Sequence, residues 1–237
     1  MRRDGRKNFD LREITFLPDY VRNVPGSVLV EQGNTRVLCT ATFDQKVPHF
    51  LKDSPKGWVS AEYGMLPGSV GNNRLNRERQ KSNSRHIEIQ RFIGRALRCT
   101  FNLHKIVGKT VTIDADVLQA DGGTRCAAIN GGMGALAKLL RHLVFEHMIP
   151  DLPAIEYIAA VSIGVKGQDI LVDLNYEEDS TADADINIVS SEKGHVIEVQ
   201  AFAEEHAIPS EVFSRVMEIG IEKNLEIIKK IKKIAEM

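Results

Sequence analysis

Two stretches of this sequence carry the pattern of a β-hairpin, and each is followed by a polar segment and then by a helical pattern. In residues 27–43, two runs rich in β-branched residues flank Gly33-Asn34, a dipeptide that favours a tight hairpin turn. Residues 157–175 repeat this arrangement around the polar turn 166–169. Because the same unit occurs twice, we expect two halves of similar architecture.

The other periodic segments predict helices and one more strand. Apolar residues recur at helical spacing in residues 84–101, 125–145 and 210–236. Residues 109–118 alternate between apolar and polar side chains, as in a strand with one buried face. Residues 66–84 are polar, basic and contain glycine, so we expect an exposed, mobile loop there. Together these patterns predict an α+β fold whose strands are mostly joined by hairpins.

Composition narrows the class of protein. The formal net charge is −1, so any binding of nucleic acid has to use a local basic patch. Cys39, Cys99 and Cys126 are far apart, which argues against a disulfide framework or a zinc site and favours a reducing compartment. No apolar run is long enough for a membrane span, and none follows the basic first residues as in a signal peptide. We therefore expect a cytoplasmic protein with no membrane segment.

The segment Asp121-Gly122-Gly123-Thr124-Arg125 lies between a predicted strand and a helix of small residues. Backbone N–H groups and the positive end of a helix dipole at such a junction can hold an oxyanion. The glycines allow close approach, and Thr124 and Arg125 add donors. A phosphate pocket is one interpretation, and a glycine turn with a surface arginine is the other. Arg85, at the start of the first helix, is either a second ligand of the anion or a solvated arginine.

A dense acidic cluster follows the second hairpin. Crowded carboxylates repel one another unless a cation or an arginine is present, and a small number of oxygen ligands suits Mg²⁺. The alternative is a solvated acidic loop. The cluster consists of Asp173, Glu177, Glu178, Asp179, Asp183 and Asp185.

Basic residues concentrate in the polar loop and along one face of the helix that follows it. They predict contacts to an RNA backbone. Because Glu78 and Glu88 are interleaved, a salt-bridged surface or a subunit interface is the alternative. The candidate RNA-binding residues are Arg74, Arg77 and Arg79 in the loop and Arg91, Arg95 and Arg98 in the helix.

Several long motifs, in order from the first residue to about residue 200, resemble the bacterial ribonuclease PH family of phosphorolytic exoribonucleases. The resemblance implies a fold like the second domain of ribosomal protein S5, with two pseudo-repeated β-α halves, about 1–145 and 151–237, in one domain that spans 1–237. It also implies a homohexamer built as a trimer of dimers. The matching motifs are residues 1–6, 57–67, 88–98, 119–125 and 173–180.

The resemblance also implies roles for individual residues. Arg85, Gly123, Thr124 and Arg125 correspond to the phosphate site. Asp179 and Asp185 correspond to an acidic pair that holds Mg²⁺, with Mn²⁺ as the alternative ion, and Asp183 is a weaker candidate on the same motif. The residues expected to be catalytic are therefore Arg85, Arg125, Asp179 and Asp185, and the loop arginines fall where the family engages the tRNA body.

The chain departs from the family pattern at three places. Arg3 stands where the family has proline, and His86 replaces a small hydroxyl residue after the phosphate arginine. Ala201-Phe202-Ala203-Glu204-Glu205 lacks two glycines that the family has there.

The expected activity is that of a tRNA nucleotidyltransferase, a phosphate-dependent enzyme that shortens the 3′ ends of tRNA precursors and other RNAs. Inorganic phosphate is its co-substrate, nucleoside diphosphates are released, and the reaction is reversible. One alternative is a non-catalytic RNA-binding subunit of an exosome-like ring. Another is a metabolic enzyme that binds phosphate or a nucleotide.

Overall fold

The computed structural model describes residues 2–71, 74–78, 83–203 and 207–236. Its first half contains a sheet of five strands in the order β1-β2-β3-β5-β4. Neighbouring strands are antiparallel, except that β4 and β5 are parallel. The strands are β1 (Ile14–Pro18), β2 (Gly26–Gln32), β3 (Thr35–Asp44), β4 (Trp58–Met65) and β5 (Thr110–Gln119).

The second half contains an antiparallel sheet of four strands in the order β7-β6-β8-β9. Both predicted hairpins are confirmed, because β2 pairs with β3 and β6 pairs with β7 across the expected turns. The strands are β6 (Ile158–Lys166), β7 (Asp169–Val172), β8 (Ala184–Ser191) and β9 (Val196–Ala203).

Four α-helices with defined bounds in the described ranges accompany the sheets, and the predicted α+β class is confirmed. Short 3-10 turns lie at His49–Leu51 and Leu103–Ile106. None of the helices in the described part of the chain is long and apolar enough to cross a membrane. The helices are α1 (Ser84–Arg98), α2 (Thr124–Phe145), α3 (Tyr176–Asp179) and α4 (Ser210–Ala235).

Helix α1 ends three residues earlier than its apolar pattern predicts. The N–H groups of Cys99 and Thr100 bond to the last carbonyls of the helix, and the Thr100 hydroxyl donates to the Leu97 carbonyl at 2.7 Å. These bonds occupy carbonyl groups that would otherwise accept the N–H groups of another helical turn. The helix therefore ends at Arg98.

Helix α2 is the centre of the molecule, and most of its surface is buried. Its small residues let it lie directly on the first sheet: a Cβ on Gly131 would be 2.6 Å from both Cys39 Sγ and Val30 Cγ2. Asn130, fully buried on the same helix, bonds to both backbone groups of Ala160 on β6. Helix α2 therefore packs against both sheets, and its N-terminus lies between the two halves.

Candidate active site

The glycine-rich segment forms a tight loop between β5 and α2. Gly122 and Gly123 have φ values of +73° and +68°, a left-handed conformation that favours glycine. Helix α2 begins at Thr124 and runs for 22 residues. The N–H groups of its first turn have no partner within the helix, and the helix dipole makes this end positive. The loop can therefore bind an oxyanion, as its sequence predicts.

Arg85 and Arg125 lie on the same cleft as this loop. Arg125 is in the first turn of α2, and its Nη1 donates to Gln200 Oε1 on β9 at 3.0 Å. Arg85 is in the first turn of α1, where Asn83 caps the helix by accepting the Arg85 N–H at 2.9 Å. Two guanidinium groups from different helices thus approach one anion-binding loop.

Asp179 and Asp185 lie on the cleft as well, contributed by the second half of the chain. Asp179 ends the short helix α3, which begins with a capping box between Asn175 and Glu178. Asp185 is on β8, where its Oδ2 accepts a hydrogen bond from Asn187 at 2.9 Å. The cleft has a volume of about 320 Å³ and brings the two acidic side chains together with Arg85, Gly123, Thr124 and Arg125.

The environment of Asp185 disfavours its charge. Burial, followed by the negative charge of Asp179, raises the pKa of Asp185 to about 6, against the opposing effects of Arg125, Arg85 and Asn187. Its Oδ1 is buried and has no hydrogen-bond partner among the described residues. A buried, unbonded oxygen beside a second carboxylate matches the chemistry of a cation ligand. Asp179 and Asp185 are the pair available for such an ion, and no third acidic, His or Cys side chain joins them within the described ranges.

The structure adds two residues to this site that were not among the predicted catalytic and binding residues. Tyr63 on β4 is buried, and its hydroxyl shares a hydrogen bond of 2.9 Å with Thr124 Oγ1. His86 packs edge-on against the Tyr63 ring, with 5.4 Å between centroids. Burial, and then the charge of Arg85, lowers the pKa of His86, so the ring is neutral near pH 7. Tyr63 lies on the same buried face of the strand as Val59 and Ala61, a two-residue period that predicts an inward side chain but not its partner.

Asp183 is not among the described residues that line the cleft. It precedes β8, and its Oδ2 accepts the backbone N–H of Gly167 at 2.6 Å in the β6–β7 turn. The acidic motif therefore divides: Asp179 and Asp185 face the anion loop, whereas Asp183 bonds to a turn.

The predicted RNA-binding arginines fall into two groups, those bonded within the protein and those exposed at its surface. Arg95 forms an ion pair with Glu198, and Arg98 donates to the Val59 carbonyl at 2.8 Å while its guanidinium stacks 4.1 Å from the Trp58 ring centre. These two side chains support the packing of α1. Arg74, Arg77 and Arg91 are exposed, and Arg79 lies outside the described residues.

The fold is shared with solved structures of exosome components. One described as the archaeal exosome core has a TM-score of 0.77 and 21% identity, covering 98% of this chain and 91% of that one. The Archaeoglobus fulgidus exosome with RNA bound to the active site has a TM-score of 0.81 and 21% identity, covering 97% of this chain and 92% of that one. The chain therefore has the α+β fold of these exosome components.

Models of the two domains of the 3′ exoribonuclease family match residues 10–140 and 156–223. Ribonuclease PH of Exiguobacterium sibiricum is 47% identical over 228 residues, which cover 95% of this chain and 90% of that protein. Ribonuclease PH of Bacillus subtilis is 43% identical over 237 residues, covering 99% and 96%. The chain belongs to the 3′ exoribonuclease family, and the resemblance to bacterial ribonuclease PH is confirmed.

Proposed function

We propose that this protein is a phosphate-dependent 3′→5′ exoribonuclease that trims tRNA precursors and other RNAs, one nucleotide at a time. The observation that carries the proposal is the cleft, in which two arginines and an anion loop from the first half face two carboxylates from the second. The high identity to two ribonuclease PH proteins over nearly the whole chain supports the same activity.

Inorganic phosphate is the nucleophile in this reaction. Arg85, Arg125 and the Thr124 hydroxyl, together with the N–H groups at the start of α2, neutralise and orient it. A phosphate oxygen forms a bond to the last internucleotide phosphorus as the bond to the preceding 3′ oxygen breaks, and that oxygen leaves with a proton. The products are a nucleoside diphosphate and an RNA shorter by one residue. Since one phosphate ester is exchanged for an anhydride, the reaction runs in reverse at high nucleoside diphosphate.

Asp179 and Asp185 would hold a divalent cation, Mg²⁺ or Mn²⁺, beside the bound phosphate. The support is the buried, unbonded Oδ1 of Asp185 and the raised pKa of this carboxyl group. Two carboxylates suit Mg²⁺, because this ion is usually bound to proteins through only one or two carboxylate groups. When bound, it supplies charge stabilisation to the transferred phosphoryl group.

The exposed Arg74, Arg77 and Arg91 are the candidates for contacts to the RNA body. We further propose a single domain over residues 1–237 that works in the cytoplasm and assembles into a homohexamer, a trimer of dimers. The motifs shared with the bacterial ribonuclease PH family support this assembly. Sedimentation of the purified chain tests it, and a monomeric mass would contradict it.

The activity is tested by incubating a labelled tRNA precursor with Mg²⁺, with and without inorganic phosphate. We expect nucleoside diphosphates only when phosphate is present. Nucleoside monophosphates without phosphate would mean hydrolysis and would overturn the proposal. RNA that binds but is never shortened would identify a non-catalytic ring subunit, an alternative that the altered segment 201–205 raises; residues 204 and 205 lie outside the described residues.

Substitution of Arg125 tests the phosphate site. Arg125→Ala should lower the phosphate-dependent rate by about 10²- to 10³-fold, because it removes a charged donor aimed at the reacting anion. Arg141→Ala is the matched control, since Arg141 is an exposed arginine near the other end of the same helix. Full activity of Arg125→Ala would contradict the assignment.

A further inference from the structure

A buried ion pair lies beneath the anion loop. The side chains of Arg12 and Asp173 are 6% and 0% exposed, and the distance from Arg12 Nη2 to Asp173 Oδ1 is 2.6 Å. Asp173 Oδ2 also accepts the Arg12 backbone N–H at 2.8 Å and the Arg12 Nε–H at 3.1 Å. Gln32 Nε2 donates to Oδ1 at 2.5 Å. Four hydrogen bonds and two cations, Arg12 and Arg6 at 3.8 Å, thus compensate one fully buried carboxylate.

The Arg12 guanidinium also supports the anion loop from below. Its Nη1 donates to the Asp121 carbonyl at 2.6 Å. A Cβ on Gly123 would lie 2.8 Å from Arg12 Nη2 and 3.8 Å from Asp173 Oδ1, so the loop backbone rests directly on the pair. The backbone position of Gly123, which precedes Thr124, therefore depends on the position of the Arg12 side chain.

Asp173 positions the segment that carries Asp179, on the opposite side of the cleft from the anion loop. It has a φ of +57°, a conformation that is unfavourable for a residue with a side chain and that its hydrogen bonds maintain here. The chain passes from Asp173 into α3, which ends at Asp179. This segment packs on the loop, because a Cβ on Gly122 would lie 2.6 Å from the Leu174 carbonyl oxygen, and the Tyr176 N–H donates to Asp121 Oδ1 at 3.2 Å.

We propose that Arg12 and Asp173 are positioning residues, whose ion pair sets the separation between the anion loop and helix α3, which carries Asp179. The inference rests on the proposed function. The described residues that line the cleft do not include Arg12 or Asp173, so the pair acts through Gly123 on one side and Asp179 on the other. In-line transfer needs the phosphate and the carboxylates in a fixed relationship, and a displacement of about 1 Å can lower a rate about 10²-fold.

The test replaces the pair by uncharged residues in the double variant Arg12→Met/Asp173→Asn, because asparagine tolerates the left-handed conformation of residue 173. No buried charge is left unpaired, since Arg6, 3.8 Å from Asp173, keeps its ion pairs with Asp4 and Glu178. We expect kcat to fall about 10- to 100-fold and the KM for phosphate to rise, with RNA affinity unchanged because the RNA body binds elsewhere. Arg12→Lys keeps the charge but replaces the planar guanidinium fork by one ammonium group, which can make fewer of these bonds, so its kcat should lie between those of the wild type and the double variant.

Asn224→Ala is the control for a general loss of stability. Asn224 is fully buried on α4 and donates to the Ile188 carbonyl and to Ser190 Oγ, at 3.0 and 2.9 Å. Its substitution should lower the unfolding midpoint, yet leave kcat and the phosphate dissociation constant within about 2-fold of the wild type, as expected for a distant site.

We would measure the dissociation constant for inorganic phosphate for every variant. It is obtained from the shift of the unfolding midpoint with phosphate concentration, and this measurement does not require catalytic activity. If the wild type makes no nucleoside diphosphate, the proposed function fails, and weaker phosphate binding by the variants still supports the role of the pair. A folded double variant with wild-type kcat and phosphate affinity overturns the inference alone. If the double variant does not fold, Arg12→Lys decides, and wild-type values for both quantities overturn the inference.

Discussion

Tyr63 and Thr124 share a hydrogen bond of 2.9 Å across the wall of the cleft. Thr124 is the first residue of α2 and Tyr63 is on β4, so the bond ties the anion loop to the first sheet. Burial, as the largest effect, raises the pKa of Tyr63, which keeps its proton at neutral pH. A Tyr63 hydroxyl that donates to Thr124 leaves the Thr124 proton directed at the bound anion.

Tyr63→Phe should therefore raise the KM for phosphate about 5-fold, the effect of one lost hydrogen bond of about 1 kcal/mol. The free energy of unfolding should fall by no more than about 1 kcal/mol, because only this bond is lost and the ring keeps its contact with His86. Initial rates at varied phosphate concentration measure the effect. Tyr157→Phe, at a buried tyrosine next to the start of β6, is the control and should leave the KM unchanged. An unchanged KM in Tyr63→Phe would show that Thr124 needs no such partner.

Asp185→Asn should stabilise the protein when a chelator is present. The pKa of Asp185 is raised from 3.8 to about 6, so the folded protein binds more protons than the unfolded chain between these values. The free energy of unfolding therefore falls as pH rises through this window, by up to about 3 kcal/mol for a shift of about 2 units.

The gain from Asp185→Asn should be absent near pH 4 and complete above pH 6, since asparagine does not titrate. Asn187 can still donate to the new amide oxygen. Urea unfolding at several pH values gives the difference between variant and wild type. Mg²⁺ should then stabilise the wild type but not the variant. A variant less stable than the wild type at pH 7.5 in chelator would contradict this account of the site.

The exposed and the internally bonded arginines should respond differently to substitution. Arg74→Ala/Arg77→Ala should weaken RNA binding and make its dependence on salt less steep, because phosphate contacts release counterions. Arg95→Ala should instead lower the unfolding midpoint, since it leaves Glu198 without its ion-pair partner. Filter binding across a salt series and thermal unfolding distinguish the two. Equal loss of RNA affinity in both variants would place Arg95 in the RNA-binding surface.

Gly131→Ala should destabilise the fold by about 1–3 kcal/mol, the usual effect of overpacking. The added methyl group would meet Cys39 Sγ and Val30 Cγ2 at 2.6 Å, where α2 lies on the first sheet. Gly68→Ala is the control, because a Cβ there has no heavy atom within 4 Å. Urea unfolding of both variants compares them. A Gly131→Ala protein as stable as the control would mean that α2 can move away from the sheet.

The sequence by itself determined the hairpins, the long helices and the anion loop. These features depend on neighbouring residues, such as Gly33-Asn34 at a turn or the consecutive glycines before Thr124. Such local conformational preferences involve only a few neighbouring residues, so they can be recognised from the sequence without knowledge of the tertiary structure. The family motifs also named the residues that meet in the cleft, because they match a known pattern in order.

Only the tertiary structure decided which side chains work together. Asp183 and Asp185 are two residues apart in one acidic motif, yet the first bonds to a turn and the second lies in the cleft, because β8 begins between them. Arg12 and Asp173 are separated by most of the chain, and the acidic cluster that contains Asp173 gives no sign of its partner. Their pairing, like that of Arg95 with Glu198, results from the packing of α2 and the two sheets, which brings distant segments into contact.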